Sequence, residues 1–354
     1  MSEIPLIRVK NVNKSFGGKH VLKNVSFEVF KRELFVIVGY SGSGKSTLLR
    51  VLAGLEPLDT GEIYFGEKEV SRTPPQNRKI GMVFQDYAVW PHMTVRKNIE
   101  FVLGNDGMTS EDKKKFITDL LEKVGLSEKI DSTPSQLSGG QLQRVALARA
   151  LAVQPDILLM DEPLSNLDRQ VKKVLQLEIL RITKELNVTT IFVTHDQEEA
   201  QLLADRIAVM NEGVIEQIGD QKTFYENPVN LTVASFMDEV ISFDGTVKSL
   251  DGDSPIIEVD GSMVKLLPIN KAEVKSGSRC KVSVRVSDLL LDDNGWIKGS
   301  VISDKFYSGK KHLIISLTAD LSVNLEVDQS VELSFGTEVR LCPRDGKVML
   351  HPVF

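Results

Sequence analysis

The sequence predicts an α/β domain with a mostly parallel sheet at residues 1–238, followed by a small all-β domain at residues 239–354. The first part alternates continuous apolar runs, which are typical of strands buried on both faces, with segments of helical periodicity. That alternation indicates strands joined by crossover helices. After about residue 238 the helical periodicity ends, and short β-rich segments between turn residues replace it. The 354 residues are enough for two such domains.

In the first domain, uninterrupted apolar runs predict buried strands at residues 34–38, 157–160 and 190–193. Residues 6–12 and 25–30 alternate apolar and polar side chains instead, so we expect an antiparallel β subdomain beside the main sheet. Helical spacing of apolar residues predicts amphipathic helices at residues 116–124 and 171–186.

In the second domain, Gly, Asp, Asn and Pro residues separate short apolar segments. This spacing is typical of a small barrel or sandwich. The predicted strands cover residues 282–286, 297–302, 312–317, 331–335 and 338–342.

The amino-acid composition excludes several classes of protein. Hydrophobic residues make up 42% and charged residues 26%, as in an ordinary globular protein. No apolar run approaches the roughly 20 residues that span a bilayer, and we see no signal-peptide pattern. Cys280 and Cys342 fit buried reduced thiols rather than a disulfide framework. The net charge of −6 argues against a general nucleic-acid-binding surface, so we expect no nucleic-acid partner.

A glycine-rich loop at residues 39–47 lies between a predicted buried strand and a predicted helix. Glycines let backbone N–H groups surround phosphate oxygens, and the helix N-terminus adds partial positive charge. Lys45 would reach the β- and γ-phosphates, and the Ser46 hydroxyl would coordinate Mg²⁺. A turn without a ligand is the alternative, which the flanking strand and helix disfavour. We assign nucleotide binding to Gly39, Ser41, Gly42, Gly44, Lys45, Ser46 and Thr47.

Two adjacent carboxylates, Asp161 and Glu162, follow the strand predicted at residues 157–160. Buried charge is costly unless it is paired or bound to a metal, so packing alone explains them poorly. Asp161 fits a holder of Mg²⁺, and Glu162 fits the base that polarises an attacking water. A solvated Asp-Glu turn is the alternative interpretation.

A second glycine-rich helix start lies at residues 137–141. Ser138 is a predicted N-cap, Gly139 and Gly140 follow it, and a segment of helical composition begins at Gln141. Such a start is a second possible anion site in the same chain. Alone it is weak evidence of function.

Together these motifs resemble the nucleotide-binding subunits of ATP-binding-cassette (ABC) transporters, which have a P-loop NTPase fold. The resemblance covers essentially the whole chain. It implies that residues 137–141 form the signature motif of a helical subdomain and contact the γ-phosphate of ATP held by an opposite subunit. Two chains would form a head-to-tail dimer, as a homodimer or with a similar ATPase. The implied cofactors are ATP and Mg²⁺.

The resemblance also implies roles for four single positions. Phe16, in a polar turn with two glycines, would stack on adenine, although a lone Phe is more often a core residue. Gln85 would touch Mg²⁺ and the attacking water. Asp168 lies in the loop that communicates across the dimer, where it could equally be a helix N-cap. His195 matches the switch histidine that contacts the γ-phosphate, so the expected catalytic residues are Glu162, His195 and Gln85.

Residues 87–95 form an unusually apolar and aromatic loop, and we term residues 85–95 the docking segment. The resemblance implies that it contacts a transmembrane permease subunit, and a buried loop is the alternative. We expect Tyr87, Trp90 and Met93 to line a groove that receives a short helix of the permease. The chain would then be a peripheral subunit at the cytoplasmic face of the membrane, with a solute-binding protein as an indirect partner.

The second domain is similar to the oligonucleotide/oligosaccharide-binding (OB)-like domain of ATPases that serve importers of maltose-type sugars, polyamines and ferric iron. We expect a sugar as the solute, because the phosphate-loop domain looks at least as much like the sugar branch. A polyamine or ferric iron is the alternative, which residues 306–309 favour. A soluble ABC ATPase outside transport is the rival class, although such proteins usually have two cassettes. A regulatory role of the second domain is compatible with transport.

Overall fold

The computed structural model describes residues 4–104, 107–251, 254–269 and 274–352. The chain divides into two compact units, unit 1 at residues 1–221 and unit 2 at residues 222–354. This division falls after the first residue of a short helix and precedes a second one. The boundary predicted at residue 238 follows them instead, because it was placed where the β-rich sequence begins. A functional division at residue 238 stays a prediction.

Unit 1 contains a mostly parallel sheet and a smaller antiparallel sheet. The main sheet has the order β10-β9-β3-β8-β7-β6, and only β10 among these runs antiparallel to its neighbour. The smaller sheet has the order β2-β1-β4-β5 and is antiparallel. The strands are β1 Ile7–Phe16, β2 Lys19–Val29, β3 Leu34–Val38, β4 Thr60–Phe65, β5 Lys68–Glu69, β6 Ile80–Val83, β7 Ile157–Asp161, β8 Thr189–Thr194, β9 Arg206–Asn211 and β10 Val214–Gly219.

The helices of unit 1 connect these strands. They are α1 Lys45–Ala53, α2 Val95–Leu103, α3 Ser110–Lys123, α4 Gly139–Ala152, α5 Arg169–Glu185 and α6 Gln197–Leu203. Strands β3, β7 and β8 are buried along their whole length, as their apolar runs predict. The predicted α/β fold with an antiparallel subdomain is therefore confirmed.

Helix α1 is fixed against the main sheet by fully buried side chains. Leu48, Leu49 and Leu52 of α1 belong to the same core cluster as Phe35 and Ile37 of β3. Burial of each such side chain contributes about 1.5–3 kcal/mol. This packing positions the loop that joins β3 to α1.

Unit 2 is built mainly of β-strands in two sheets. Their orders are β13-β12-β11-β15-β21-β14 and β16-β20-β17-β18-β19. Two helices, α7 Gln221–Glu226 and α8 Leu231–Met237, precede the strands. The strands are β11 Val240–Asp251, β12 Ser254–Val259, β13 Ser262–Lys265, β14 Leu267–Pro268, β15 Arg279–Arg285, β16 Leu289–Leu291, β17 Ile297–Tyr307, β18 Lys310–Thr318, β19 Leu321–Val327, β20 Glu338–Pro343 and β21 Lys347–Pro352.

The prediction of a strand at residues 331–335 is wrong. These residues lie between β19 and β20, and Phe335 is 81% exposed. Val331 and Leu333 still pack against the core of unit 2. The alternation of apolar and polar residues therefore indicates which side chains face the core. It does not show that the segment pairs with another strand.

Candidate nucleotide-binding site

The carboxyl ends of four parallel strands position the predicted site residues. Strand β3 leads into the loop at residues 39–44, and β6 precedes Gln85. Strand β7 ends at Asp161, which Glu162 follows, and β8 leads to His195. Open α/β sheets bind ligands at this edge.

Glycines shape the loop between β3 and α1. Gly42 and Gly44 have φ angles of 80° and 106°, a region that side chains disfavour. A Cβ atom at Gly39 would lie 2.1 Å from the carbonyl oxygen of Met210 in β9. The chain can therefore leave β3 along this path only with glycine at position 39.

The start of α1 has no side-chain cap, because its N-cap residue is Gly44. The first N–H groups of any helix lack partners within the helix, and they carry partial positive charge. At α1 these donors stay available to an anion. The nearby Ser43 hydroxyl is buried without a hydrogen-bond partner in the described chain, so it fits a further phosphate contact. By contrast, α2 to α6 each begin with a capping side chain, from Thr94, Thr109, Ser138, Asp168 and Asp196.

The Lys45 ammonium lies inside the loop and is 3% exposed. Its Nζ donates to the carbonyl oxygens of Gly39 at 2.8 Å and Tyr40 at 3.0 Å, and it lies 3.9 Å from the Glu162 carboxylate. Burial lowers the pKa of Lys45, and the charges of Glu162 and Asp161 act in the opposite direction. A cation at the centre of an anion-binding loop is positioned to meet phosphate.

Ser46 and Asp161 join α1 to the end of β7. Ser46 Oγ donates to Asp161 Oδ1 at 2.7 Å, and Asp161 is 5% exposed. Burial raises the pKa of the Asp161 carboxyl, and the hydrogen bond from Ser46 acts in the opposite direction. The described residues contain no cluster of three or more His, Cys, Asp or Glu that could hold a metal alone. The pair fits Mg²⁺, which takes few protein oxygens and otherwise phosphate and water.

Glu162 and His195 form a direct contact at the same edge of the sheet. Glu162 Oε2 lies 2.8 Å from His195 Nδ1, and their side chains are 17% and 50% exposed. The backbone of Glu162 has a φ of 44°, a left-handed conformation that costs roughly 1–2 kcal/mol for a residue with a side chain. Conformations of this kind persist where surrounding contacts enforce them. Here the Glu162 N–H donates to the Val193 carbonyl at 3.0 Å.

Phe16 and Gln85 lie outside the cluster that these contacts define. Phe16 is 43% exposed at the end of β1, and the Lys14 ammonium lies 4.8 Å from its ring centroid. This cation covers one face of the ring, so the other face is the one available for stacking. Gln85 is exposed, and its backbone carbonyl accepts a hydrogen bond from Asn166 Nδ2 at 3.2 Å.

The start of α4 is closed by a capping box. Ser138 N–H donates to Gln141 Oε1 at 2.9 Å, and Gln141 N–H donates to Ser138 Oγ at 3.4 Å. The N–H groups of Gly139 and Gly140 precede the first intrahelical hydrogen bond. At the start of α5, the Asp168 carboxylate accepts from the N–H groups of Gln170 and Val171 without a reciprocal bond. In the described chain, no hydrogen bond or ion pair joins Ser138 or Asp168 to the phosphate loop.

The docking segment is held by two side chains that the sequence did not single out. Tyr87 and Ala88 have φ angles of 62° and 46°. Arg149 of α4 donates to the carbonyls of Ala88 at 2.5 Å and Tyr87 at 3.5 Å. Asn98 of α2, fully buried, accepts from the Trp90 N–H at 2.9 Å. The signal for Arg149 is a charged side chain within the apolar run at residues 146–152, whereas Asn98 stands between charged residues of α2 and has no such signal.

Comparison with known proteins identifies the family. A sequence model described as ABC transporter matches residues 22–165. The Fe(3+) ions import ATP-binding protein FbpC of Fusobacterium nucleatum is 37% identical over 348 residues, which cover 97% of this chain and 92% of that protein. The chain belongs to the ABC transporter family.

Two further relatives of this ABC protein match over most of their length. The spermidine/putrescine import ATP-binding protein PotA of Photobacterium profundum is 40% identical over 339 residues, covering 94% of this chain and 89% of that protein. The putrescine transport ATP-binding protein PotG of Escherichia coli is 37% identical over 349 residues, covering 96% and 93%. The ABC chain is therefore an ATPase coupled to transport.

Solved structures confirm the P-loop ABC fold. CbiO1 from Clostridium perfringens, part of the ABC transporter complex cbiONQ, has a TM-score of 0.59 at 29% identity and covers 63% of this chain and 92% of that chain. Another ATP-binding cassette of an ABC transporter has a TM-score of 0.56 at 28% identity, covering 61% and 91%. Among the described helices of this ABC chain, none has the length and apolar character to cross a membrane.

The prediction of a sugar as the transported solute is not supported. The relatives' names specify ferric iron, spermidine and putrescine, which agrees with the alternative that residues 306–309 favoured. The rival class outside transport is not supported either, because these relatives serve import or transport. The phosphate-loop unit misled the prediction because its chemistry acts on ATP, whatever the solute.

Proposed function

We propose that this ABC ATPase energises the import of a polyamine or of ferric iron. The similarity to the iron and polyamine relatives supports this solute class, since it extends over 92% and 89% of their lengths. Both kinds of solute are cations. The chain would act as a peripheral subunit at the cytoplasmic face of the membrane, and a solute-binding protein would be an indirect partner.

The nucleotide would bind at the start of α1. The observation that carries this assignment is the cluster of Lys45, Ser46, Asp161 and Glu162 beside an uncapped helix N-terminus. Phosphate oxygens would replace the carbonyl partners of the Lys45 ammonium. Bound Mg²⁺, held by Ser46 and Asp161 with Gln85, would neutralise phosphate charge. The exposed ring face of Phe16 would stack on adenine.

Hydrolysis would use Glu162 and His195. Glu162 would accept a proton from a water whose oxygen bonds to the γ-phosphorus, while the bond from that phosphorus to the ADP oxygen breaks. The 2.8 Å contact with His195 orients the Glu162 carboxylate. His195, half exposed, could also reach the γ-phosphate.

A second chain would complete the site. The residues Ser138, Gly139, Gly140 and Gln141 at the start of α4 lie outside the cluster of their own chain, yet they form another helix N-terminus. In a head-to-tail dimer, this start would meet the γ-phosphate held by the partner. Asp168, at the neighbouring start of α5, would line the same interface.

The docking segment would contact a permease subunit. Tyr87, Trp90 and Met93 are half-buried, and the Trp90 ring packs against Phe101 at 4.6 Å between centroids. Phe101 is itself 60% exposed, so the apolar surface continues onto α2. Aromatic anchors of this kind are common at interface centres.

Uptake measurements test the solute class. Cells that carry the chain with its own permease subunits would be compared with cells carrying Glu162→Gln, using labelled spermidine, putrescine, ferric iron and maltose. We expect uptake of a polyamine or of ferric iron to fall, with maltose uptake unchanged. Glu122→Gln, at an exposed position on α3, is the control. Loss of maltose uptake alone would contradict the proposal.

A further inference from the structure

The docking segment contains a turn in a strained backbone conformation, and one arginine of α4 donates hydrogen bonds to it. Tyr87 and Ala88 are consecutive left-handed residues, and both of their carbonyls accept hydrogen bonds from Arg149. The same guanidinium lies 4.4 Å from the centroid of the Trp90 ring. Arg149 therefore contacts three residues of the segment, although it is 61 positions from Ala88 in sequence.

Asn98 fixes the second half of the docking segment through side-chain hydrogen bonds. The two N–H groups of its Nδ2 are shared among three carbonyl oxygens, those of Trp90 at 3.2 Å, Met93 at 3.2 Å and Thr94 at 3.1 Å. The turn from Trp90 to Thr94 therefore has a defined shape of its own. A displacement of Trp90 would carry these residues with it.

Arg149 lies at the opposite end of α4 from Ser138. The helix has 14 residues, so it is about 21 Å long. Its middle is anchored in the core, where Val145 and Ala148 are fully buried. A helix packed in this way is the kind of rigid element that can carry coupling between its two ends.

We propose that Arg149 is a positioning residue that makes the docking segment move with α4. When the start of α4 contacts the γ-phosphate of ATP bound by the partner chain, α4 moves. The hydrogen bonds from Arg149 then displace the turn at Tyr87 and Ala88 together with the helix. The surface offered to the permease then changes with nucleotide state. This inference rests on the proposed function, because it uses both the two-chain site and the docking role of the segment.

Hydrogen exchange of the docking segment tests the inference. Backbone exchange at residues 86–94 would be measured by mass spectrometry in the full chain carrying Glu162→Gln, with and without MgATP. MgATP is expected to slow this exchange by roughly 5-fold or more, the lower end of typical coupling between sites. Arg149→Met, which keeps the length of the side chain and removes its donors, is expected to abolish the response.

Arg144→Met is the matched control on the same helix. Arg144 pairs with Glu178 at 2.9 Å and has no described contact with the docking segment, so this variant disturbs α4 without releasing the turn. Its response to MgATP is expected to persist. Arg149→Lys keeps the charge but cannot bridge both carbonyls as a planar fork does, and its response is expected to be intermediate.

The outcomes separate the inference from the function on which it rests. Light scattering reports whether MgATP forms the dimer in each variant. A dimer that forms in Arg149→Met without slowed exchange supports the inference. An undiminished response in that variant overturns it, because the segment then follows the nucleotide directly through Gln85. Absence of the dimer when Arg149 is intact contradicts the proposed function. If Arg149→Met does not fold, Arg149→Lys is compared with Arg144→Lys, and an undiminished response in Arg149→Lys overturns the inference.

Discussion

Helices α1 and α4 both begin at glycine-rich turns, yet their first N–H groups are in different states. The start of α1 has no side-chain cap, and the buried Lys45 ammonium lies beside it. The start of α4 is closed by the reciprocal hydrogen bonds of Ser138 and Gln141. The first N–H groups of α1 are therefore open to an anion. At α4, a side chain of the same helix start already accepts a hydrogen bond from one of these N–H groups.

We infer from this difference that the starts of α1 and α4 have different roles in ATP hydrolysis. An open helix start with a buried cation can hold phosphate within one chain. A capped start keeps fewer donors, those of Gly139 and Gly140, and no buried ammonium lies beside it among the described contacts. We infer that α1 provides the primary phosphate site and that α4 adds affinity only when a phosphate is already held by a partner chain.

Among the variants that test this comparison, replacing Glu162 has the largest expected effect, which is on the rate of ATP hydrolysis. Glu162→Gln should slow ATP hydrolysis by about 10²–10⁴-fold, the usual contribution of a positioned base. ATP should still bind at α1, so the dimer should accumulate with both helix starts engaged. Phosphate release and ATP binding are measured side by side, with Glu122→Gln as the control. A hydrolysis rate near that of the wild type would remove Glu162 as the base.

Replacing Lys45 should weaken the α1 site itself. Lys45→Ala removes a buried charged donor, and loss of such a contact raises the dissociation constant for ATP about 10- to 100-fold. Titration calorimetry on the dilute chain measures this constant without contribution from a dimer. Lys123→Ala, at an exposed position of α3, should leave it unchanged. Equal affinities in the two variants would contradict the role of Lys45.

Replacing Ser138 should affect the dimer and leave the single chain able to bind ATP. Ser138→Ala removes an N-cap, which costs about 0.5–2 kcal/mol of unfolding free energy. ATP affinity of the dilute chain should not change, whereas ATP-driven dimerisation should weaken. Thr109→Ala removes the cap of α3 and controls for lost stability, since that helix start has no predicted nucleotide contact. A weakened ATP affinity of the dilute Ser138→Ala chain would contradict the proposal that α1 alone provides the primary phosphate site.

A smaller effect is expected in the pH dependence of stability. Burial raises the pKa of Asp161 above its ordinary value of 3.8, so the folded chain binds the proton more tightly than the unfolded chain. This contribution to stability is present below about pH 4 and is lost as the pH rises through the folded pKa. Compared with Asp161→Asn, the nucleotide-free wild type should therefore lose unfolding free energy on going from acid to neutral pH. Denaturant titrations at several pH values measure this difference, with Asp156→Asn as an exposed control. A difference that is flat, or that grows in favour of the wild type, would contradict the buried state of Asp161.

The parts of the site that follow directly from a strand were predictable from sequence. The loop before α1, Asp161 and His195 each stand next to an apolar run, and parallel strands place their ends at one edge. Arg149 was not predictable, because its contacts depend on how α4 packs against residues 61 and 62 positions away. The contacts of Asn98 are local, but they depend on the turn that Trp90 to Thr94 adopt. The strand predicted at residues 331–335 failed for a related reason, since alternation reports burial and does not specify pairing.

The regulatory role of unit 2 and the OB-like comparison stay predictions. The sugar prediction was drawn from the phosphate-loop domain, whereas the names of the relatives specify ferric iron, spermidine and putrescine. Membership of the ABC transporter family identifies the reaction, and the solute has to be determined by transport measurements.

Mixing two inactive variants tests the central claim, that α1 of one chain and α4 of the other form one site. A Lys45→Ala chain and a Ser138→Arg chain should each hydrolyse ATP poorly alone, because every site in either dimer contains a defect. In a mixed head-to-tail dimer, one site combines both defects and the other contains none. Random pairing makes half of the dimers mixed, so the equimolar mixture should recover roughly a quarter of the wild-type rate. A mixture no more active than the average of its two components would contradict the two-chain site.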